Sequence, residues 1–379
     1  MSEDRRMSER LYVVAGELSG DAHGAGLLRA LREMKPGLEV AGRGGPEMKV
    51  AAGEKLRDWV EDAAVMGIWE VLKRYGWFKE RFAEMLEEVR EFQPDVLLFI
   101  DYPGFNLRFA KAVKKAHPGI KQVYYISPQV WAWHKGRIPK MVELLDQMLC
   151  LFPFEQPIFA DAGLKTTFVG HPLVDELEAR RISVDRDPDL VGLFPGSRER
   201  EVAALFPMMI ESAKRLKQGS RGLRFEAPAA SAKLGDQMRA LVDAAGAGEF
   251  VTVTAGGSLE LMQRAWCGVI ASGTATLEAA YYGLPYCLVY KVAGLTYALA
   301  KILVKIKYIG IVNILAGEGV VDEFIQGDAE PERVVPALTK FLEDEGHRTR
   351  LQARLAETSG KLGGPGAHER AAREVANWL

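Results

Sequence analysis

The stretch that decides the fold is residues 267–285, CGVIASGTATLEAAYYGLP. It opens with an apolar run typical of a buried strand and passes through a Ser/Gly/Thr turn. It then continues as a helix that ends at Gly283, just before Pro285. A strand, a tight turn and a helix in this order predict one unit of a parallel α/β sheet, with a ligand site beyond the carboxyl end of the strand.

Similar units recur along the chain. Strands that alternate with helices predict parallel sheets covered by helices on both faces. The charged stretch 175–190 separates two such series, so we expect an α/β protein with two similar parallel-sheet domains facing a cleft. We place residues 1–184 and a docked C-terminal helix, 367–379, in the first domain, and residues 185–366 in the second. The predicted strands include 11–15, 96–100, 122–126, 191–194, 250–253, 267–271 and 286–290.

Composition excludes several classes of protein. The 379 residues are 48% apolar, and 49 Lys and Arg against 51 Asp and Glu leave a formal charge of −2. A nucleic-acid binder usually has a large basic excess, so we expect no nucleic-acid partner. The three cysteines are far apart without a CxxC pair, which argues against a disulfide scaffold and a structural zinc site. Lysines interrupt the most apolar stretch, 292–310, so we expect no membrane-spanning helix.

The turn and helix of the opening stretch offer groups that suit a phosphorylated nucleoside. Amides at Gly273 and Thr274 would point out of the helix start, where an anion binds well. Glu278 lies one turn deeper on the same face, where a carboxylate suits a pair of ribose hydroxyls. The alternative is that Ser272 only caps the helix and that Glu278 is a solvated acid.

A second motif, residues 191–201 with the sequence VGLFPGSRERE, points to the same ligand. Ser197 is the predicted N-cap of a helix, which puts Arg198 and Arg200 in a first turn where cations oppose the helix dipole. An anion between Arg198 and the helix start would remove that conflict. Ordinary alternation of surface charge, with neighbouring glutamates as partners, is the alternative.

Acidic residues follow two predicted strands of the first domain. The loop after the first strand carries Glu17, Ser19 and Asp21, and its glycine spacing does not match a dinucleotide fingerprint. Such groups suit sugar hydroxyls, with helix capping by Asp21 as the alternative. Asp101 follows the strand 96–100, where a carboxylate can act as a general base or cap the next turn.

The stretch 65–81, VMGIWEVLKRYGWFKER, mixes large apolar side chains with cations, and residues 297–308 have the same character. This mixture is typical of a helix in a membrane interface, and it favours an anionic membrane or an acylated, phosphate-bearing ligand. A helix packed on the core is the alternative. The predicted lipid-contact residues are Met66, Ile68, Trp69, Leu72, Lys73, Arg74, Trp77 and Phe78.

Seven motifs, taken together and in this order, resemble the lipid-A-disaccharide synthase family. Each motif alone is weak, whereas seven in sequence order over most of the chain are specific. They are VAGELSGD (14–21), VMGI (65–68), IDYPGFN (100–106), SPQVWAW (127–133), FPGSR (194–198), SGTATLE (272–278) and NILAG (313–317).

The resemblance implies a GT-B glycosyltransferase with two Rossmann-like domains that uses no metal ion and no cofactor. Members of this family join UDP-2,3-diacylglucosamine to 2,3-diacylglucosamine 1-phosphate (lipid X). The products are UDP and a β-1,6-linked disaccharide 1-phosphate, formed with inversion at the anomeric carbon. The resemblance also implies a cytoplasmic enzyme on the inner membrane of a Gram-negative bacterium. The oligomeric state stays open, with a homodimer as one alternative.

The resemblance also assigns roles to residues. Asp101 is the candidate base for the acceptor 6-hydroxyl, and Arg198 would stabilise the charge that builds on the departing UDP. The implied UDP-sugar-binding set is Ser197, Ser272, Gly273, Thr274, Glu278 and Asn313, and the acceptor-side set is Glu17, Ser19 and Asp21. Competing functions are a transferase with another acylated acceptor, a UDP-N-acetylglucosamine 2-epimerase, and a binding protein without catalysis.

Overall fold

A computed structural model of the chain describes residues 8–63, 74–130, 135–219, 222–292 and 307–379. Contacts divide the chain into two compact units. Unit 1 consists of residues 1–172 and 363–379, and unit 2 consists of residues 173–362. Each unit is built on one parallel sheet, which confirms the prediction of two Rossmann-like α/β domains.

Unit 1 contains a seven-stranded sheet. Its strands are Arg10–Ala15 (β1), Glu39–Gly44 (β2), Leu56–Asp58 (β3), Val96–Ile100 (β4), Lys121–Tyr125 (β5), Gln147–Cys150 (β6) and Thr166–Phe168 (β7). Its helices before unit 2 are Leu18–Met34 (α1), Pro46–Ala52 (α2), Val60–Ala63 (α3), Tyr75–Phe92 (α4), Pro103–Ala116 (α5), Ile138–Leu144 (α6) and Glu155–Ala160 (α7). The strand order is β3-β2-β1-β4-β5-β6-β7.

Both faces of this sheet are buried, which is why its central strands are almost wholly apolar. Successive residues of a strand point to opposite faces. Leu98 and Ile100 of β4 therefore pack in one core cluster with residues of α1, while Leu97 and Phe99 pack in another with Phe109 of α5. All five residues of β4 are buried, and the apolar run ends at Asp101, the polar residue that follows the strand.

Unit 2 contains a six-stranded sheet. Its strands are Asp187–Phe194 (β8), Arg224–Ala229 (β9), Val251–Ala255 (β10), Ala265–Ala271 (β11), Tyr286–Tyr290 (β12) and Glu323–Ile325 (β13), in the order β10-β9-β8-β11-β12-β13. Its helices are Leu173–Ala179 (α8), Glu199–Gly219 (α9), Ala232–Ala244 (α10), Ser258–Arg264 (α11), Ala275–Tyr281 (α12), Ile311–Ala316 (α13), Pro331–Glu343 (α14) and Glu345–Gly360 (α15).

Each sheet has a point where the winding of the chain reverses. In unit 1 it lies between β1 and β4, where Ala15 pairs with Ile100, and in unit 2 between β8 and β11, where Phe194 pairs with Ile270. Loops that leave such neighbouring strands diverge and open a crevice at their carboxyl ends. The predicted site residues Glu17, Asp101, Ser197 and Ser272 follow these four strands.

The boundary between the units lies earlier than the predicted position after residue 184. Helix α8 belongs to unit 2 because it packs on α12, and Tyr282 Oη donates a hydrogen bond to the carbonyl of Leu177 at 2.9 Å. Arg186 donates to the carbonyls of Met262 and Ala265 at 2.8 and 2.6 Å. These contacts fix residues 173–186 to unit 2 rather than leaving them as a polar linker.

The chain returns to unit 1 through its last helix, Ala367–Ala376 (α16). This helix packs against α1, with Ala371 and Val375 fully buried in the core cluster that covers one face of the sheet. No helix among the described residues combines the length and the apolarity needed to cross a membrane.

The predicted lipid-contact stretch is described only in part. Met66, Ile68, Trp69, Leu72 and Lys73 lie outside the described residues, as do residues 297–306 of the second patch. Trp77 stacks on Trp59 with ring centroids 5.9 Å apart, and Phe78 lies 6.4 Å from Phe105. Arg74 pairs with Asp62 at 3.3 Å. For Trp77 and Phe78 the structure supports the alternative of packing on the core.

Candidate active site

Unit 2 holds a cavity of about 400 Å³ at the carboxyl ends of its strands. It brings together six predicted residues: Ser197, Arg198, Ser272, Gly273, Thr274 and Glu278. Those six come from the loops after β8 and β11 and from α12. The cavity therefore lies at the reversal point of the sheet, where an open α/β sheet binds its ligand.

The partner of Arg198 in this structure is a carboxylate of the chain, Glu201, which is the alternative to a bound anion that the sequence left open. The amides of Ser197 and Arg198 donate to Oε2 of Glu201 at 3.2 and 3.4 Å, and Arg198 Nη1 lies 2.9 Å from Glu201 Oε1. Helix α9 begins at Glu199, so the prediction of Ser197 as its N-cap is corrected, and the Glu201 carboxylate caps this end instead. The Arg198 side chain stays 69% exposed, so a ligand can reach its guanidinium.

Gly196 is required by this arrangement. Its φ of +104° lies in the region that favours glycine, and a Cβ at this position would collide with Oε2 of Glu201. The loop therefore turns sharply enough for the amides of the next two residues to point at one place. Converging amides beside an arginine form a binding place for a phosphate oxygen, which Glu201 occupies here.

Glu278 also lines the cavity. Burial and the negative charge of Glu176 raise the pKa of Glu278 to about 7. Its carboxyl group has no hydrogen bond or ion pair within the described ranges, so it is open to a ligand. A half-buried carboxyl group of this kind can hydrogen-bond a hydroxyl pair.

Asn313 does not line this cavity, and its predicted place is corrected. Its side chain is 1% exposed, and its Oδ1 accepts hydrogen bonds from the amides of Val320 and Val321 at 2.7 and 2.9 Å. Its Nδ2 donates to the carbonyl of Val321 and to Glu323. The side chain thus ties α13 to the segment that leads into β13.

Two further loops that line the cavity were missed. Gly256 and Ser258 follow β10, Pro228 and Ala229 are the last two residues of β9, and Ala230 follows that strand. Gly256 and Gly257 have φ values of +68° and +79°, so this turn needs both glycines. The sequence signal was available, since residues 254–258 read TAGGS directly after the predicted strand 250–253.

In unit 1, Asp101 stands at the carboxyl end of β4 in an unusual conformation. Asp101 and Tyr102 have φ values of +46° and +52°, a left-handed pair without glycine. Burial, and next the negative charge of Glu17, raise the pKa of Asp101 to about 6. A carboxylate with a pKa near the working pH is suited to accept a proton from a hydroxyl group.

Two fully buried side chains hold the backbone of Asp101 in this conformation. Tyr124 Oη donates to its carbonyl oxygen at 2.5 Å, and Asn106 Nδ2 donates to the same oxygen at 2.7 Å. The amide of Asp101 donates to the carbonyl of Tyr125 at 3.0 Å. These bonds compensate the cost of a left-handed non-glycine residue, about 1–3 kcal/mol, and aim the side chain.

The loop after β1 separates the three predicted acceptor-side residues. Glu17 and Ser19 are exposed at the start of α1, and Gly16 lets the ring of Tyr102 pack against the loop, since a Cβ there would collide with it. Asp21 is 2% exposed, and its carboxylate accepts the amides of Gly45, Glu47 and Met48 at 2.8–3.0 Å. Asp21 therefore caps α2, and its place on the acceptor side is corrected.

Neutral imidazoles lie in the same unit. Burial and the proximity of His368 lower the pKa of His23 to about 4, and burial and the proximity of His23 lower the pKa of His171 to about 4.

Across the described ranges, no three His, Cys, Asp or Glu side chains are grouped to hold a metal ion. The motif residues Trp131 and Trp133 lie outside those ranges.

Comparison with known proteins decides the family. The family model described as lipid-A-disaccharide synthetase matches residues 11–375. A lipid-A-disaccharide synthase from Trichlorobacter lovleyi is 42% identical over 372 residues, with 96% of each chain covered. The chain belongs to the lipid-A-disaccharide synthase family. The relative from Geobacter sulfurreducens, with the same name, is 41% identical over 98% of each chain. As a member of this family, the chain is a glycosyltransferase of lipid A biosynthesis.

Solved structures agree on the fold at low sequence identity. A co-structure of S. aureus MnaA with UDP has a TM-score of 0.63 at 12% identity and covers 98% of each chain. A ugt transferase from Siraitia grosvenorii in complex with UDP has a TM-score of 0.60 at 11% identity, with 98% and 99% of the chains covered. These likenesses establish the GT-B fold, as the resemblance implied.

Proposed function

We propose that the chain transfers a 2,3-diacylglucosamine unit from UDP to the 6-hydroxyl of 2,3-diacylglucosamine 1-phosphate with inversion at the anomeric carbon. The observation that carries this proposal is a pair of complementary groups at the two sheet reversal points. Unit 2 offers an arginine and converging amides for a diphosphate, and unit 1 offers a carboxylate suited to take a proton.

The donor half of the proposal rests on the cavity of unit 2. The diphosphate would take the place of the Glu201 carboxylate at the amides of Ser197 and Arg198, next to the Arg198 guanidinium. Glu278 would accept hydrogen bonds from the ribose hydroxyls. Two solved structures with this fold hold UDP, which agrees with such a ligand. Charge that develops on the departing UDP would then be stabilised by Arg198 without a metal ion.

The acceptor half rests on Asp101. Its carboxylate would accept the proton of the attacking hydroxyl group, while the new bond forms at the anomeric carbon and the bond to UDP breaks. The exposed Glu17 and Ser19 would hydrogen-bond acceptor hydroxyls. Because both sugars carry acyl chains, we also propose that the protein works at an anionic membrane surface.

The test is release of UDP from UDP-2,3-diacylglucosamine in detergent with a chelator present, with and without 2,3-diacylglucosamine 1-phosphate. We expect release only with the acceptor, and one disaccharide for each UDP. Release without the acceptor would contradict the proposal and point to hydrolysis or to epimerase-like chemistry. No release in either case, with an active relative as the control, would reject this substrate pair.

Matched variants separate catalysis from binding. We expect Asp101→Asn to abolish turnover while UDP still binds, because the amide cannot accept the proton. Asp161→Asn, at an exposed aspartate of the same unit, should keep full turnover. Equal activity of the Asp101 and Asp161 variants would refute the role of Asp101 as the base.

A further inference from the structure

A groove on the helical layer of unit 1 lies outside the cavity of unit 2 and is not used by the proposed chemistry. It runs between α5 and α6 and has a volume of about 400 Å³. Leu107, Met141 and Leu144 form an apolar floor. Met141 is fully buried, while Leu107 and Leu144 are partly buried against the same core cluster.

Cations surround this apolar floor. Arg108 and Lys111 project from α5, Lys140 projects from α6, and Arg137 precedes α6. Of the residues that line the groove in the described part of the chain, one, Glu143, is a carboxylate. Four cations less one carboxylate leave a local formal charge of +3, on a chain whose total formal charge is −2.

Three of these cations have their charge available to a ligand. Arg108, Lys111 and Lys140 are exposed, and within the described ranges they form no hydrogen bond or ion pair. By contrast, Lys114 on the same helix, which does not line the groove, pairs with Asp146 at 3.5 Å. Unpaired cations beside apolar side chains match a ligand that carries both phosphate and acyl chains.

We propose that this groove docks the protein on a bilayer that contains anionic phospholipids. Lipid phosphates pair with the rim cations, and the adjoining apolar part of the lipid covers the floor. Pro103 and Gly104, two and three residues after Asp101, line the groove, so docking holds the carboxyl end of β4 near the lipid. The inference rests on the proposed function in one respect: an acylated acceptor resides in such a bilayer.

The acceptor's own phosphate is a weaker match for the groove. That acceptor carries one phosphate, whereas the unpaired cations Arg108, Lys111 and Lys140 are spread over two helices. Each of these exposed cations can meet the phosphate of a different lipid only at a surface that carries many of them. The bilayer is therefore the occupant that the observations favour.

The experiment is sedimentation of the full chain with vesicles of phosphatidylcholine, alone or mixed with phosphatidylglycerol, without sugar nucleotide. We expect binding to the anionic vesicles only, and weaker binding at high salt, because salt screens exposed charges. Arg108→Ala/Lys111→Ala should bind about 30-fold more weakly, the equivalent of about 1 kcal/mol for each cation near an anionic leaflet.

The matched control is Lys49→Ala/Lys340→Ala, which removes the same charge at two exposed lysines outside the groove. It should bind vesicles like the unmodified chain. Unchanged turnover of both double variants on detergent-dispersed substrates would show that both are folded.

Three results would overturn the proposal. The first is equal vesicle binding by the two double variants, and the second is equal binding of the unmodified chain to both vesicle types. The third is normal vesicle binding by Arg108→Ala/Lys111→Ala together with a raised KM for detergent-dispersed acceptor. The last result would assign the groove to the acceptor. Because vesicle binding is measured without turnover, a failed transferase assay with normal vesicle binding would reject the proposed function alone.

Discussion

Replacing Asp101 by asparagine should stabilise the protein near neutral pH while it abolishes turnover. The pKa of Asp101 is raised from 3.8 to about 6 because the folded chain buries the carboxylate next to the charge of Glu17. Folding therefore favours the protonated form, and stability falls as pH rises from about 4 to about 6. Above that range the ionised carboxylate costs about 3 kcal/mol, at 1.36 kcal/mol for each pH unit between the two pKa values.

The variant removes that cost, so its gain in stability must depend on pH. The same relation gives a gain of about 3 kcal/mol near pH 8 and about 1 kcal/mol near pH 4.5. At pH 4.5 the folded carboxyl group is protonated, and the pH lies less than one unit above the pKa of 3.8 in the unfolded chain. Asparagine has nearly the shape of the acid and keeps the backbone bonds of Tyr124 and Asn106 to its carbonyl. The gain is thus electrostatic.

Urea unfolding at both pH values measures this effect, with hydrogen exchange of the β4 amides as a readout confined to unit 1. Asp161→Asn serves as the control and should change stability little at either pH. An equal effect of Asp101→Asn at both pH values, or a loss of stability near pH 8, would refute the reasoning. In the unmodified enzyme, kcat/KM should fall below about pH 6, since the base must be ionised.

Three further predictions test the positioning of the site. Tyr124→Phe removes one hydrogen bond to the Asp101 carbonyl and should lower kcat about tenfold with little change in KM. The control, Tyr282→Phe, also loses a buried hydrogen bond to a carbonyl but should keep kcat. Equal losses of kcat in the two variants would contradict the role of Tyr124 in positioning Asp101. Gly196→Ala puts a side chain at a φ of +104°, so the loop should relax and its amides should no longer converge. UDP binding in calorimetry should weaken by at least about tenfold, and unchanged affinity would reject that loop as the phosphate site. Asn313→Ala leaves the amides of Val320 and Val321 without their acceptor and should lower the free energy of unfolding in urea by about 3 kcal/mol. A decrease below about 0.5 kcal/mol would contradict this prediction, because it would show that the segment finds other partners.

The architecture was predictable because it depends on patterns that are local in the chain. Buried parallel strands require short apolar runs, and their crossovers require helices, so 96–100 and 286–290 were located without tertiary information. Chemistry at such sheets lies at the carboxyl ends of the strands. Asp101, Ser197 and Ser272 could be singled out on that ground.

The partners of buried polar groups were not predictable in the same way. Asp21 caps a helix 25 residues further on, and Asn313 binds a segment that only the packing of β13 brings within reach. A carboxylate in a loop suits a sugar hydroxyl and a backbone amide equally well. Which of the two it meets depends on distances that the sequence does not contain.

The sequence by itself determined two parallel-sheet domains, the loops that carry the site, and membership of a glycosyltransferase family. Tertiary structure alone decided that Glu201 fills the anion place beside Arg198, that Tyr124 and Asn106 hold Asp101, and that Trp77 packs inward. The physical reason is the separation along the chain of the residues that interact. Strand and helix patterns arise from neighbours along the chain, whereas hydrogen bonds, burial and pKa depend on groups that meet only after the sheets have formed.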